Sequence, residues 1–280
     1  MQTLLNTPHE IIQQNILGAA AKAKTRILNI LVLGIMAGSF IAMGAQSSSL
    51  AVHNISNVGL ARTLAGCIFP VGLMMIVFVG GELFTGDCMM SMAWMQRKIH
   101  FADMLRTLVL VYVSNFVGAA LIAFLVAHSG QYDYSSGALG AYTIKVAYGK
   151  VHLSFANALI SGILCNILVC VAVLMAAAAK DIAGKVLAIF FPILAFVVSG
   201  FEHCVANMYY IPAGIFASKN AAYATKALEL YNIDSTQLSS LNWGSFAISN
   251  LIPVTIGNII GGALLVGGAC FYLHGKALHE

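Results

Sequence analysis

The chain has little charge. Only 9% of its 280 residues are Asp, Glu, Lys or Arg, whereas a soluble domain has roughly 25%. Apolar side chains make up 60% of the chain, and its mean hydropathy is +0.87. The net charge of +4 comes from scattered residues rather than from a basic patch, so no nucleic-acid partner is expected. This composition predicts a membrane protein with the lipid bilayer as its surroundings.

Cysteine motifs and catalytic signatures are missing as well. None of the six cysteines forms a C-x-x-C pair, so they are interpreted as packing residues, and no metal or cofactor is expected. The chain has no H-E-x-x-H motif, no G-x-S-x-G turn and no P-loop, which argues against an enzyme and against a primary pump. It also lacks the Asn-Pro dipeptide of aquaporin-type breaks. An intramembrane enzyme and a neutral-solute channel remain distant alternatives.

Long apolar runs take the place of these motifs. Crossing about 30 Å of hydrocarbon takes about 20 helical residues, and four uninterrupted runs are long enough: 27–52, 107–127, 155–179 and 246–273. Two further runs, 63–95 and 186–216, are apolar at both ends but polar in the middle, at residues 80–87 and 199–204. We therefore predict an all-α membrane protein with six transmembrane helices, of which the second and fifth are broken.

The two ends of the chain are predicted to lie outside this six-span domain. We predict an amphipathic amino-terminal helix within residues 1–26, a channel domain over 27–273 and a short tail over 274–280. Thr7, Pro8 and Glu10 have the pattern of a helix start. The residues that follow at helical spacing form one apolar face, namely Ile12, Ile16, Ala19 and Ala23. The first 26 residues lack the pattern of a secretory signal peptide, so none is expected there.

The lysines and arginines are unevenly divided between the two sides of the predicted bundle. Nine lie on the side of both termini, Lys276 among them, and five on the other side. Since positive charge accumulates in cytoplasmic segments, both termini are predicted to be cytoplasmic and the protein to lie in the inner or plasma membrane.

A repeat relates the two halves of the chain. Residues 114–121 read SNFVGAAL in the third run, and residues 257–264 read GNIIGGAL in the sixth. Two units of three spans must be inverted relative to each other, and paired broken helices in such a 3+3 repeat indicate a substrate path at the repeat interface.

The polar residues of the breaks are the candidate functional residues. His203 is interpreted as a pathway donor or proton relay, with a structural hydrogen bond as the alternative, because ionisable groups at membrane depth are costly. Thr85 is placed opposite it, and Glu82 and Glu202 are interpreted as structural residues of the breaks. Lys150 is either an interfacial lysine or a cationic lure at the outer mouth. Apolar neighbours predicted to form constrictions are Phe69, Leu73, Leu83, Phe84, Phe196 and Phe201.

These segments resemble the formate/nitrite transporter family. The resemblance is carried by five motifs that together cover nearly the whole chain: GELFTG at 81–86, KVH at 150–152, CNILVC at 165–170, SGFEHCVANM at 199–208 and NLIPVTIGNIIGG at 250–262. It implies an aquaporin-like protomer of a homopentamer, each protomer with its own pore. It further implies that Thr85 and His203 form the central polar site, that Asn166 and Asn258 line the pore, and that Lys150 attracts the anion.

The function implied is transport of a small monovalent weak-acid anion, with possible proton coupling at His203. Such an anion loses its hydration in the constrictions, and protonation would remove most of that cost. Within the family, the sixth-span motif favours formate, whereas Gly86, Asp87 and Cys88 are more typical of nitrite and hydrosulfide members. Formate is the preferred prediction, and nitrite or hydrosulfide is the alternative. No enzymatic activity is expected.

Overall fold

Six apolar helices long enough to cross a membrane are found in the computed structural model, which describes residues 5–275. They are Ile27–Val52, Val58–Val79, Phe101–Ala127, Phe155–Ala178, Ile182–Ser199 and Trp243–Gly275. The prediction of a six-span helical membrane protein is confirmed. Lys276 and the rest of the predicted tail beyond Gly275 lie outside the described residues.

Shorter helices follow the second and fifth spans and lie in the outer loops. Helical turns at Phe84–Asp87, Cys88–Met90 and Ser91–Met95 follow the second span, and the helix Cys204–Ser218 follows the fifth. Between spans lie Gln131–Asp133, Ala138–Val151, Ala221–Tyr231 and Ser235–Ser239. The sixth span alternates α-helical and π-helical segments, with π-helix at Phe246–Leu251, Ile260–Val266 and Phe271–Gly275.

The third span begins six residues before its apolar run. Helix Phe101–Ala127 includes Asp103 and Arg106, which the apolar pattern assigns to a loop. Charged residues at a helix end can remain in the polar interfacial layer while the helix continues. The hydropathy pattern therefore marked the membrane-embedded part of this helix and missed its first turns.

The amino-terminal helix, Pro8–Lys22, begins at the predicted capping box: Thr7 accepts from the Glu10 backbone N–H, and the Glu10 carboxylate accepts from the Thr7 N–H. Its predicted apolar face is buried against the inner end of the bundle. The side chain of Gln13 donates to the His274 carbonyl. Both described ends of the chain therefore lie on one side, called here the inner side.

Two pairs of spans pack closely at glycine residues. The first span packs mainly against the third, and the fourth against the sixth. A Cβ atom on Gly118 would lie 2.1 Å from the Ile35 carbonyl oxygen, and one on Gly261 would lie 2.4 Å from that of Ile163. Only glycine permits this backbone approach, which small residues typically provide between membrane helices. Gly118 and Gly261 are the glycines of the sequence repeat.

Candidate functional site

Two pairs of consecutive helices are each separated by a short non-helical segment. One helix ends at Val79 and the next begins at Phe84, and another ends at Ser199 and resumes at Cys204. We call residues 80–83 the inner break and residues 200–203 the outer break. Each opens with a glycine at positive φ, Gly80 at 103° and Gly200 at 72°, a conformation that glycine adopts without a Cβ clash.

An asparagine on the third span holds the inner break. The Asn115 Oδ1 accepts from the Phe84 backbone N–H at 3.0 Å. Its Nδ2 donates to the carbonyls of Glu82 at 2.8 Å and Gly34 at 2.9 Å. In hydrocarbon every backbone group needs a protein partner, and this single buried amide supplies it on both sides of the break.

The sixth span provides the same clamp for the outer break. The Asn258 Oδ1 accepts from the Cys204 N–H at 2.9 Å. Its Nδ2 donates to the carbonyls of Glu202 at 3.0 Å and Gly162 at 2.7 Å. Asn115 and Asn258 therefore make equivalent contacts: an N–H of the resumed helix, the carbonyl of the break glutamate, and a glycine carbonyl of the adjacent span.

Thr85 and His203 meet between the two breaks. The Thr85 Oγ1 lies 2.9 Å from the His203 Nε2, and both side chains are buried. The Ala206 backbone N–H donates to the His203 Nδ1 at 3.1 Å, so that nitrogen carries a lone pair rather than a proton. The ring proton of the neutral histidine is then on Nε2 and is donated to Thr85. The Thr85 hydroxyl proton is left for another acceptor.

A cavity of about 260 Å³ lies on the outer side of this pair. His203 and Lys150 line it, together with three predicted constriction residues, Phe69, Phe196 and Phe201. The Phe69 and Phe196 rings meet edge to face with their centroids 5.4 Å apart. Aromatic rings thus surround the outer approach to the histidine.

A second cavity, of about 450 Å³, lies on the inner side. Leu73, Leu83 and Glu82 line it. Phe84 lines neither cavity, because its ring packs on Tyr112, at a centroid distance of 4.8 Å, in an apolar groove between the third and sixth spans. The structure therefore brings five of the six predicted constriction residues to the two cavities and directs Phe84 elsewhere.

Lys150 is engaged by an acid at the outer break. Its Nζ lies 2.7 Å from the Glu202 Oε1, and both side chains are largely buried, with 16% and 7% of their surface exposed. The Glu202 Oε2 accepts from the amides of Asn207 at 2.6 Å and Asn250 at 3.2 Å. Glu202 pairs locally, while Lys150 faces the outer cavity as one half of an ion pair.

The amino-terminal helix supplies the matching cation to the inner break. Lys22, its last residue, forms ion pairs with Glu82 and Asp87. Burial disfavours the charged ammonium, but the two carboxylates outweigh that effect and hold the pKa of Lys22 above its usual value. Lys22 therefore stays positively charged across the neutral range.

Asn166 is buried next to the backbone of Thr85. Its Nδ2 donates to the carbonyls of Thr85 at 3.1 Å and Asn258 at 2.6 Å. Asn166 and Asn258 are both fully buried, and neither contributes to the two cavities. Their amide Nδ2 groups donate to the backbone that carries the site.

Sequence reasoning left several residues of the site unassigned: Lys22, Arg62, Asp87, Asn115, Asn207 and Asn250. Asn115 carried a usable signal, since it matches Asn258 in the repeat. Asn207 follows His203 by four residues, one helical turn later. Lys22 and Asn250 have no such signal, because each reaches its partner only through folding.

Comparison with known proteins places this geometry in context. A family model described as Formate/nitrite transporter matches residues 9–272. The chain is 38% identical to a probable formate transporter of Methanothermobacter thermautotrophicus over 91% of each chain. It is 37% identical to the formate channel FocA of Haemophilus influenzae, covering 89% of this chain and 88% of that protein.

Among solved structures, a pentameric formate channel with formate bound superposes with a TM-score of 0.78 at 31% identity, covering 89% of this chain and 98% of that one. These relatives are described as a transporter and as channels rather than as enzymes. With the family model spanning nearly all of the described residues, the chain belongs to the formate/nitrite transporter family.

Proposed function

We propose that this protein is a membrane channel for small monovalent weak-acid anions and that formate is its substrate. The observation that carries the proposal is the buried Thr85–His203 hydrogen bond, which lies between an outer and an inner cavity. The formate channels that the chain resembles at 31 to 37% identity support the choice of formate. Nitrite and hydrosulfide are the second candidates.

The apolar walls restrict what can pass. Phe69, Phe196 and Phe201 form the outer constriction, and Leu73 and Leu83 form the inner one. A dehydrated anion between them has few hydrogen-bond donors, so its transfer from water is unfavourable. Protonation to the neutral acid removes the charge and most of that cost, which favours weak acids over chloride.

The Thr85–His203 pair supports a donor role at the centre. The Nε2–H of a neutral His203 donates a hydrogen bond to the Thr85 Oγ1. The Thr85 hydroxyl then donates its own hydrogen bond to the substrate. Protonating Nδ1 would break the bond from the Ala206 N–H and would place a positive charge at a helix N-terminus, which the helix dipole disfavours. We therefore propose that the proton reaches the anion through water while His203 orients Thr85.

The architecture that we propose is a 3+3 inverted repeat with the broken helices in second and fifth place, as in an aquaporin-like protomer. The equivalent clamps by Asn115 and Asn258 support it. Residues 27–273 form the channel domain. A homopentamer is proposed from the similarity to a pentameric channel. Both termini are proposed to be cytoplasmic, in an inner or plasma membrane.

Flux into proteoliposomes of the purified protein tests this function. Formate, nitrite, hydrosulfide, chloride and glycerol are compared at two pH values, with Thr85→Val and Thr85→Ser alongside. We expect formate to pass fastest, chloride and glycerol to be excluded, Val to slow formate and Ser to restore it. Faster nitrite or hydrosulfide would overturn formate as the substrate. Glycerol flux, or no anion flux at either pH, would overturn the anion channel itself.

A further inference from the structure

The outer cavity contains a second basic residue, Arg62. It lines this cavity together with Lys150 and His203. Its Nη1 donates to the Val198 carbonyl at 3.1 Å. This is the only hydrogen bond that the Arg62 side chain makes within residues 5–275. None of the ion pairs found in that part of the chain includes Arg62. Arg62 is therefore an exposed guanidinium with several N–H donors still available.

The two basic residues of this cavity differ in the field that they produce. Lys150 lies against the Glu202 carboxylate, so from a distance the pair acts as a dipole with no net charge. The charge of Arg62 has no such partner, and a single charge attracts an anion over a longer range than a dipole does. The net positive potential of the outer cavity thus comes from Arg62.

The local backbone fixes where this charge lies. Val198 is in the last turn of the helix Ile182–Ser199, whose terminal carbonyls favour a cation. A Cβ on Gly200 would lie 2.8 Å from the Arg62 Nη1, so glycine at this position lets the guanidinium lie against the outer break. His203 follows three residues later.

We propose that Arg62 is the anion-capturing residue of the outer cavity and sets the rate at which carboxylate or similar monovalent anions enter from that side. This inference rests on the proposed function. Lys150, in contrast, serves mainly to hold Glu202 and the outer break. The guanidinium attracts the anion in water and releases it toward Thr85 and His203, where its charge is removed by protonation.

The potential at the cavity can be measured without any transported anion. Ser49 lines the cavity, and Ser49→Cys in a Cys67→Ser background provides a reactive thiol there. Its rates with an anionic and a cationic methanethiosulfonate reagent are compared at low ionic strength. Arg62→Gln should lower the anionic-to-cationic rate ratio about tenfold, Arg62→Lys should restore it, and 1 M salt should abolish the difference.

Lys145→Gln is the matched control, because it removes one positive charge from the same side at a residue that does not line the cavity. An unchanged ratio in Arg62→Gln, or an equal change in Lys145→Gln, would overturn the inference. A purely structural role at Val198 would change the elution of the protein on gel filtration without changing the reagent ratio. Arg62→Lys keeps the charge testable if the glutamine variant does not assemble.

Formate influx then completes the test in the same variants. Arg62→Gln should reduce the low-salt entry rate about tenfold and flatten its dependence on ionic strength, with little effect at saturating formate. An unchanged entry rate in Arg62→Gln beside active wild-type protein would overturn the capture role alone. Absence of formate flux in the wild type would overturn the proposed substrate, while the reagent ratio would still report on Arg62.

Discussion

The inner and outer breaks share their backbone support but differ in their polar side chains. Each has a glycine at positive φ, a glutamate paired with a lysine, and an asparagine that bonds to both sides of the gap. At the position before the resumed helix, however, the inner break has Leu83 and the outer break has His203. The shared features stabilise a non-helical gap between two helices. The difference places a hydrogen-bond donor, His203, at the outer break only.

The source of the paired lysine also differs. Lys150 lies in the last turn of the helix Ala138–Val151, which precedes the fourth span, whereas Lys22 is the last residue of the amino-terminal helix. The outer pair is therefore part of the bundle. The inner pair instead ties a separate helix to the mouth of the inner cavity.

The largest expected effect is on the asparagine clamps. Asn258→Leu leaves the Cys204 N–H and the Glu202 carbonyl buried without this partner, at about 1 to 3 kcal/mol for each group. Asn115→Leu should reduce stability to a similar extent if the two breaks are equivalent. Thermal unfolding in detergent measures both variants, with Asn157→Leu, an exposed position in the first turn of the helix Phe155–Ala178, as the control. A large loss in only one variant would contradict the equivalence.

Removing the outer lysine, Lys150, should have the second-largest effect on stability. Lys150→Met leaves the Glu202 carboxylate buried without its cation, and breaking such a pair costs about 3 to 5 kcal/mol. Adding Glu202→Gln should recover much of this loss, since the neutral amide has a smaller desolvation penalty. The unfolding temperatures of the single and double variants provide the measurement. Equal losses in both would show that the charge pairing is unimportant.

Changing the residue that distinguishes the breaks should impair transport more than folding. His203→Asn keeps a good N-cap side chain but removes the donor to Thr85. One lost hydrogen bond between neutral groups, about 0.5 to 1.5 kcal/mol, corresponds to a roughly twofold to tenfold slower formate flux. His203→Leu, which copies Leu83, should also destabilise the helix Cys204–Ser218. Normal flux in the asparagine variant would contradict the donor role.

The smallest effect is expected at the inner lysine. Lys22→Gln weakens the attachment of the amino-terminal helix by on the order of 1 kcal/mol, as for partly exposed ion pairs. Since the pKa of Lys22 is raised, its stabilisation is complete below the ordinary lysine value and is lost only as the pH rises through the higher folded value. Hydrogen exchange of Pro8–Lys22 should increase in the variant. Unchanged exchange of this helix would contradict the pairing.

The long spans could be predicted because hydrophobic length is a local property. The run 27–52 coincides with the helix Ile27–Val52, and the capping box of Thr7 and Glu10 formed as expected. Ala138–Val151 was not predicted, since a half-buried helix between spans has neither strong hydropathy nor a clear cap. The directions of the side chains were harder to predict from the sequence. Phe84 follows Leu83 in the chain, yet of these two residues only Leu83 lines the inner cavity.

The sequence by itself determined that residues 5–275 contain six apolar segments long enough to cross a membrane, that the second and fifth contain polar residues, and which family the chain resembles. Composition, run length and motif order are all local properties of the sequence. Only the tertiary structure decided which polar groups meet. Lys150 was identified as a candidate lure, but folding pairs it with Glu202 and leaves Arg62 as the unpaired cation of the outer cavity. Charge and hydrogen bonding act through space, so partners far apart in sequence become visible only once the helices are packed.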